Sequence, residues 1–257
     1  MILPPDVTQV HSALIGVYLG YREKKAYQRM VSLFGRFPRE LQQTAVAREQ
    51  YALALNRLAE SSTKAGDEVT ADQMRADAIS TLDEIPAASV TSETFGIRGR
   101  IYKGWHEALR STVGDADLRC QAMLQRAIDT YEQGLRTDLR DYFPGVNAVT
   151  LRLLRGSEED KRALNTLLPV VQYSVDCAPA PKNDEERYWQ TATRLELSAA
   201  GEDWIAAKRH LMDLLSIPVS AWMRETTIDN LKRQQLARGG EADAAGHLET
   251  MINALKT

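Results

Sequence analysis

Apolar residues recur along this chain every three or four positions, and this helical spacing limits the fold more than any other feature. A clear run consists of Ile97, Ile101, Trp105 and Leu109. Strands need alternating apolar and polar residues bounded by turn sequences. Alternating runs of Val, Ile or Thr are few, and the sequence contains no Asn-Gly or Asp-Gly pair. We therefore predict an all-α fold.

Prolines divide the helical pattern into segments, because proline has no amide donor and its ring clashes with the preceding turn. Pro38, Pro86, Pro144 and Pro218 stand at the ends of apolar patterns, whereas Pro169 lies inside one and predicts a kink or a break. The spacing predicts helix pairs over residues 7–37, 41–86, 93–140, 144–177 and 185–216, and two further helices over 219–237 and 241–256.

The predicted pairs resemble tetratricopeptide repeats, in which two antiparallel helices share about 34 residues. Ala26, Met30 and Pro38 have the spacing of a second repeat helix, and Gly99 with Tyr102 fits a first helix. A pair cannot bury its apolar face alone, so stacked pairs must form the core. We predict one tetratricopeptide-like, right-handed α-solenoid domain over residues 1–257. It has about five helix pairs plus two C-terminal helices, and a mobile loop at 177–186.

The composition favours a folded protein of the cytoplasm. Apolar residues make up 44% and charged residues 26%, and the net charge of -3 argues against nucleic acid as a partner. The N-terminal apolar stretch is interrupted by Gln9, His11 and Ser12, so we expect neither a signal peptide nor a membrane contact. Cys120 and Cys177 form no CxxC pair, which favours reduced, buried and unreactive thiols.

The sequence offers no recognisable catalytic, cofactor or metal site. The four histidines form no HExxH motif and no pair with cysteine at ligand spacing, and His106 beside Glu107 is typical of an exposed helix surface. No nucleophile elbow or nucleotide-binding loop is present. We expect no metal, no cofactor and no enzymatic activity. Ser157 with Asp160 predicts a capped helix start, and Gly145 predicts a close helix crossing, with the approach of a ligand as the alternative.

Four segments carry a more specific signal: YREKKAYQRMVSLFGRFP (21–38), REQYALALNR (48–57), FGIRGRIYKG (95–104) and AIDTYEQGLRTDLRDYFPGVNAVTLRLLRG (127–156). In this order they resemble the TRAFs-binding domain of the apoptosis signal-regulating kinases, which also has bacterial relatives. The resemblance extends over about residues 18–235, and GRIYK with YFPGVNAVTLRLLRG is its most specific part. The chain contains no kinase signature, so the resemblance covers the helical regulatory module alone.

The resemblance implies a tetratricopeptide-like α-solenoid, which binds adaptor proteins in the kinases. The bacterial relatives resemble sensor or adaptor parts of signalling and conflict systems, for which a nucleotide-derived ligand has been proposed. For this chain it implies a signalling partner protein or effector domain, and a nucleotide-like small molecule. The adaptors of the animal kinases are not expected as its partners.

The first helix of each tetratricopeptide pair lines the concave face, because residues three or four apart lie on one side of a helix. When Gly99 is placed at position 8 of its repeat, Arg100 and Lys103 fall on that face. When Tyr51 and Trp189 are placed at position 4 of their repeats, further polar side chains fall on the concave face. The predicted ligand-binding residues are Arg48, Asn56, Arg57, Arg100, Lys103, Asn147, Arg152, Arg187, Gln190 and Arg194.

Two interpretations of these residues stay open. Arginine suits bidentate capture of phosphate or carboxylate, so a cationic groove predicts an anionic ligand, either a nucleotide-like molecule or an acidic peptide. Alternatively, the arginines form interhelix ion pairs with acidic residues such as Glu49, Glu93 and Glu196. The protein is then a scaffold for a partner domain without a small-molecule ligand. An alignment error of one residue rotates a side chain by about 100° around the helix, which moves it off the predicted face.

Overall fold

A computed structural model describes residues 7–239 and 242–256. Within these ranges all regular secondary structure is helical, which confirms the predicted all-α class. The chain divides into two compact units, Met1–Thr130 and Tyr131–Thr257. The single domain expected over the whole chain stays a prediction. None of the helices in the described ranges is long and apolar enough to cross a membrane.

The first unit is built from paired helices around one central helix. Its helices are α1 (Val7–Glu23), α2 (Tyr27–Phe34), α3 (Arg39–Gln42), α4 (Ala45–Lys64), α5 (Glu68–Asp83), α6 (Ser92–Val113) and the first part of α7 (Leu118–Thr137). A short 3-10 helix, Ala87–Ser89, precedes α6. Because α4 contacts α2, α5 and α6, its residues are held from several sides.

Side-chain caps set where the important helices of this unit begin. The Thr44 hydroxyl accepts a hydrogen bond from the Ala47 amide at 3.3 Å at the start of α4. Thr91 and Thr94 cap each other's amides at the start of α6. The first amides of a helix have no partner within the helix, so these caps fix its first turn. The sequence thereby fixes the residue at which α4 and α6 each begin.

Two clusters of described residues contribute to the apolar core of the first unit. One gathers around Tyr18 and Met30, which are both fully buried, and includes side chains from α1, α2, α3 and α4. The other places Leu55 of α4 against Leu82 of α5 and Ile101 of α6. No pair could bury these side chains by itself, so adjacent pairs complete each other's core.

The second unit starts within α7 and repeats the pairing. Its further helices are α8 (Tyr142–Arg155), α9 (Glu158–Asp176), α10 (Asp184–Ala200), α11 (Trp204–Leu215), α12 (Ala221–Ala237) and α13 (Ala242–Lys256). Each of α8, α10 and α12 contacts the helix that follows it, and α10 also contacts α8 and α12. The two C-terminal helices thus pack on each other in the same manner as the predicted pairs.

Pro169 lies inside one continuous helix, α9, so the prediction of a break at this proline is wrong. The missing proline amide removes one backbone hydrogen bond, but contacts on both sides of the proline compensate. Val171 and Val175 are buried beyond it, and the Ser174 hydroxyl donates to the Leu139 carbonyl at 2.6 Å. Tertiary packing therefore keeps both halves of α9 in one continuous helix, and a kink at Pro169 stays a prediction.

The segment predicted as a loop at 177–186 is shorter in the structure. α10 already begins at Asp184, because the Asn183 side chain accepts a hydrogen bond from the Glu186 amide at 2.8 Å. The Glu186 carboxylate in turn accepts from the Lys182 amide at 2.8 Å. The loop thus comprises residues 177–183, and its last residues are tied to the helix.

Candidate functional site

Besides Arg48, four of the predicted residues lie on two neighbouring helices of the first unit. Asn56 and Arg57 belong to α4, Arg100 and Lys103 belong to α6, and the two helices are in contact. Arg100 precedes Gly104 by one turn, so the two share a side of α6, and Gly104 faces Asn56. We call the surface formed by Asn56, Arg57, Glu60, Arg100, Lys103 and Gly104 the α4–α6 face.

Asn56 is the most buried member of the α4–α6 face, with 0% of its surface exposed. Its amide nitrogen Nδ2 donates to Glu60 Oε1 at 2.9 Å, whereas its carbonyl oxygen Oδ1 has no partner among the described residues. Arg57 Nη1 donates to the other oxygen of Glu60 at 2.8 Å. The carboxylate of Glu60 therefore orients both the amide and the guanidinium.

The α6 side of this face carries positive charge next to Gly104, a residue without a side chain. Arg100 and Lys103 are both half-buried, and each makes polar interactions within the protein. Gly104 has no side chain, and a Cβ atom placed on it would lie 3.8 Å from Asn56 Oδ1, with no other described side chain within 4 Å. The face thus combines cations, a buried amide and a glycine that approaches this amide.

Arg48 lies on α4, but its side chain contacts the residue that follows the C-terminal end of α5. Its Nη2 forms an ion pair with Glu84 Oε2 at 2.8 Å, and its Nη1 donates to the Glu84 carbonyl oxygen. A guanidinium at a helix C-terminus also interacts favourably with the helix dipole. For Arg48 the structure therefore supports the interpretation as an interhelix ion pair, and we exclude it from the α4–α6 face.

Arg152, in the second unit, is the clearest example of an arginine that forms interhelix ion pairs. It is buried and ion-pairs with Glu132 of α7 and, at 2.8 Å, with Asp160 of α9. Arg155 binds the same Asp160 at 2.6 Å, and the Ser157 hydroxyl donates to it at 2.6 Å. Ser157 and Asp160 form the predicted helix cap, so one carboxylate both starts α9 and joins it to α8. We call these five side chains the Asp160 network.

The Asp160 network makes stability depend on pH. Burial raises the pKa of Asp160, but the hydrogen bonds and charge of Arg155 and Ser157 outweigh burial and lower it from 3.8 to about 2. A carboxyl group with a lower pKa in the folded chain stabilises the fold above its unfolded pKa of about 4, and this contribution is lost as pH falls towards 2.

We expect the free energy of unfolding of the wild type to fall more steeply in acid than that of Asp160→Asn. The difference between about pH 5 and about pH 2 should be about 2 kcal/mol, because the amide cannot be protonated in this range. Urea denaturation of both proteins at a series of pH values measures it. Parallel pH curves for the two proteins would contradict the assigned pKa shift of Asp160.

The predicted residues of α10 form hydrogen bonds and ion pairs with nearby groups of the second unit. Arg194 donates to the Asp176 carboxylate at 3.1 Å and to the Val175 carbonyl at 3.0 Å, and Gln190 donates to the Pro179 carbonyl at 2.8 Å. These contacts join α10 to the end of α9 and to the following loop. Two other predicted residues make local contacts: Arg187 ion-pairs with Asp184 at 2.9 Å, and Asn147 donates to the Phe143 carbonyl at 2.9 Å.

A histidine and a cysteine meet in the first unit, which the sequence did not predict. His106 is buried rather than exposed, and its Nδ1 lies 3.3 Å from Cys120 Sγ and 3.2 Å from the Cys120 carbonyl oxygen. Burial is the main reason why the pKa of His106 is lowered and that of the Cys120 thiol is raised, so both are neutral near pH 7.

Asp115 completes a group of nitrogen, sulfur and oxygen atoms that lie within 4.8 Å of one another. Its carboxylate is exposed and ion-pairs with Arg110 at 2.8 Å. Because His106 Nδ1, the imidazole nitrogen next to Cys120, and the Asp115 carboxylate already have partners, we assign no metal to this group. Cys120 is buried as expected, whereas Cys177 is exposed at the end of α9, so its predicted burial is wrong.

Sequence reasoning missed two members of the α4–α6 face, Glu60 and Gly104. Glu60 follows Asn56 by four residues, a spacing that brings two side chains of a helix together and could have indicated the contact. Gly104 gives no such signal, because its role depends on which residue of α4 lies opposite.

The comparisons with known proteins agree with this architecture. Residues 26–152, slightly less than half of the chain, match the model of a family described as Tetratricopeptide Repeats-Sensor. The matched part includes all of α4 and α6, and therefore the whole α4–α6 face.

The chain is also similar to the mitogen-activated protein kinase kinase kinase nsy-1 of Caenorhabditis elegans, with 25% identity over 235 residues. The alignment covers 89% of this chain but 15% of the relative, so the chain corresponds to a small part of that kinase. The expected resemblance to a tetratricopeptide-like sensor domain of such kinases is supported, and the expectation that the adaptors of the animal kinases are not partners of this chain stays a prediction. Residues 26–152 are thus a tetratricopeptide-like segment similar to the sensor family.

Proposed function

We propose that this chain is a non-enzymatic sensor module of a signalling protein. In this proposal the α4–α6 face binds an anionic, nucleotide-like ligand, and binding is relayed to a partner protein or effector domain. The observation that carries the proposal is that Arg57 of α4 and Arg100 and Lys103 of α6 lie on two contacting helices, next to the place where Gly104 approaches Asn56. The family match supports the sensor role, since it covers this face.

The charges of the α4–α6 face favour an anion. The face carries three cations, Arg57, Arg100 and Lys103, and one carboxylate, that of Glu60. A second carboxylate, that of Glu107, follows one turn after Lys103. The whole chain has a net charge of -3, so this face is locally opposite to the average surface. Cations on a partly dry surface attract anions more strongly than fully solvated ones do, because the local dielectric constant is lower.

A scaffold that binds a partner domain without a small-molecule ligand is the second candidate. The similarity to a kinase of a signalling cascade favours a protein partner. An acidic peptide would also suit the charges of the α4–α6 face. We favour the nucleotide-like ligand because the face lies within the segment that matches the sensor family, and arginine suits bidentate capture of a phosphate group.

Thermal melting against a panel of nucleotides separates the two candidates. The panel should contain nucleoside mono-, di- and triphosphates, cyclic nucleotides and dinucleotides, with acidic peptides as a parallel series. A ligand present at about 100 times its dissociation constant stabilises the fold by about 2.7 kcal/mol, which raises the melting temperature measurably. A scaffold without a small-molecule site should show no response to any nucleotide.

We expect the variants Arg100→Ala and Lys103→Ala to weaken nucleotide binding while the melting temperature of the free protein stays nearly unchanged. A hydrogen bond to a charged ligand group contributes about 1.5 to 3 kcal/mol, whereas loss of a half-buried cation with a partly exposed polar contact costs about 1 kcal/mol of stability or less. Isothermal titration calorimetry measures the affinity, and thermal melting the stability.

Arg119→Ala is the control for these two variants, because Arg119 is an exposed cation of the same unit that pairs with Asp117 at 3.2 Å. Its affinity for the nucleotide should equal that of the wild type. Two results would contradict the proposed site. One is unchanged affinity in Arg100→Ala and Lys103→Ala, and the other is a loss of several kcal/mol of stability in both.

A further inference from the structure

An open cleft lies between the start of α10 and the start of α12, within the second unit. It is lined by Glu185 of α10 and by Pro218, Val219, Ser220 and Met223 around the start of α12, and its volume is about 490 Å³. Clefts of ~300 to 1,000 Å³ are typical of ligand-binding sites. Three of the lining residues are apolar, so the cleft combines an apolar surface with one carboxylate.

Two indole rings lie beside this lining. Trp222 directly precedes Met223, and 42% of its surface is exposed. The centroid of its ring lies 5.7 Å from that of Trp189. Trp189 follows Glu185 by four residues and therefore shares one side of α10 with it. We call the lining together with the two indoles the α10–α12 cleft.

Contacts between the two helices fix the shape of the α10–α12 cleft. The hydroxyl oxygens of Tyr188 and Thr227 lie 3.0 Å apart, and both residues are fully buried. Met223 is buried in the same apolar cluster as Tyr188. A site that is already formed in the free protein loses less conformational entropy when it binds.

The carboxylate of the α10–α12 cleft is available to a ligand. Glu185 is exposed, and no described group forms an ion pair or hydrogen bond with its carboxylate. The nearest cations along the chain, Lys182, Arg187 and Arg224, do not belong to the lining. Arg187 pairs with Asp184 at 2.9 Å, and residues two apart, such as Glu185 and Arg187, do not share a side of a helix. The lining therefore favours a cation.

We infer that the α10–α12 cleft binds a segment of a partner protein that carries an arginine between apolar residues. A guanidinium pairs with a carboxylate through two hydrogen bonds and also stacks on an indole, so arginine suits Glu185 next to Trp222. The apolar neighbours of the arginine cover Val219 and Met223. This inference goes beyond the proposed function, because it assigns a partner site in the second unit and requires no ligand at the α4–α6 face.

Fluorescence polarisation with labelled peptides tests the chemistry of the partner. The probe is a pool of nonapeptides with a central arginine flanked by leucine, valine or proline, and matched pools carry citrulline or glutamate at the centre. Citrulline keeps the shape of arginine without its charge, so its pool should bind at least ~10-fold more weakly, and the glutamate pool should bind more weakly still. Unlabelled arginine amide, which lacks the apolar part, should compete more weakly than the unlabelled arginine pool.

Two variants test the site on the protein. Glu185→Gln should weaken binding of the arginine pool at least ~10-fold, and Trp222→Leu, which keeps an apolar side chain but removes the ring, about 3-fold. Glu159→Gln is the control for the first, because Glu159 is also an exposed second residue of a helix, α9. Tyr173→Leu is the control for the second, because 73% of Tyr173 is exposed. Both controls should bind like the wild type.

Several results would overturn the inference. They are absence of binding to the arginine pool, equal affinity for the arginine and citrulline pools, and wild-type affinity in Glu185→Gln. Equal losses in Glu185→Gln and Glu159→Gln would also overturn it, since the peptides would then follow the overall negative charge. Thermal melting shows whether Trp222→Leu keeps its fold, and the exposed substitution Glu185→Gln decides if it does not. Because no nucleotide is present, these results are independent of the proposed function.

Discussion

Replacement of Asp160 by alanine is expected to lower the free energy of unfolding by about 3 to 5 kcal/mol. Asp160 is fully buried and accepts hydrogen bonds from Arg152, Arg155 and Ser157. Its loss leaves the buried Arg152 with Glu132 as its remaining ionic partner, and it also removes half of the cap at the start of α9. Removal of one partner from a buried ion pair is far more harmful than removal of both.

Asp138→Ala is the matched control for this prediction. Asp138 pairs with Arg140 at 2.9 Å in the same unit, but 87% of the Arg140 side chain is exposed. Exposed ion pairs contribute about 0 to 1 kcal/mol, so this variant should remain close to the wild type in urea denaturation. Equal, small losses in both variants would mean that water solvates the Asp160 network. Asp160→Asn should lie between the two, because the amide keeps its size and part of its hydrogen bonds.

The substitution Gly145→Ala is expected to destabilise the second unit by about 1 to 3 kcal/mol through overpacking. A Cβ at residue 145 would lie 2.6 Å from Val171 Cγ2 and 3.2 Å from Leu135 Cδ1. Val171 is fully buried, and its branched side chain has little rotational freedom to move away. The glycine therefore permits the close crossing of α8 and α9, which was the first of the two roles predicted for it.

A second substitution should rescue this variant. Val171→Ala removes the two methyl groups that lie closest to the new Cβ, so the double variant Gly145→Ala/Val171→Ala should be more stable than the sum of the single effects predicts. Gly104→Ala provides the contrast, since a Cβ there meets no atom closer than 3.8 Å and should not destabilise the fold. Additive losses in the double variant would show that the clash with Val171 is not the cause.

The sequence by itself determined the helical class and most helix positions. The three- and four-residue spacing of apolar side chains is a local property, and so are caps such as Ser157 and the punctuation by Pro86, so one sequence carries them without an alignment. The same reasoning located Asn56, Arg100 and Lys103 on the first helices of their pairs, where α4 and α6 lie side by side.

The tertiary structure alone decided what each polar side chain does. Arg152 and Arg100 look alike in the sequence, but the first is buried between Glu132 and Asp160, which are 20 and 8 residues away. Pairing between helices depends on their axial shift and rotation, which residue spacing within one helix does not encode. The approach of Gly104 to Asn56 depends on the same two variables. A single sequence therefore predicts the helices of the candidate site, and only packing shows which of their residues meet.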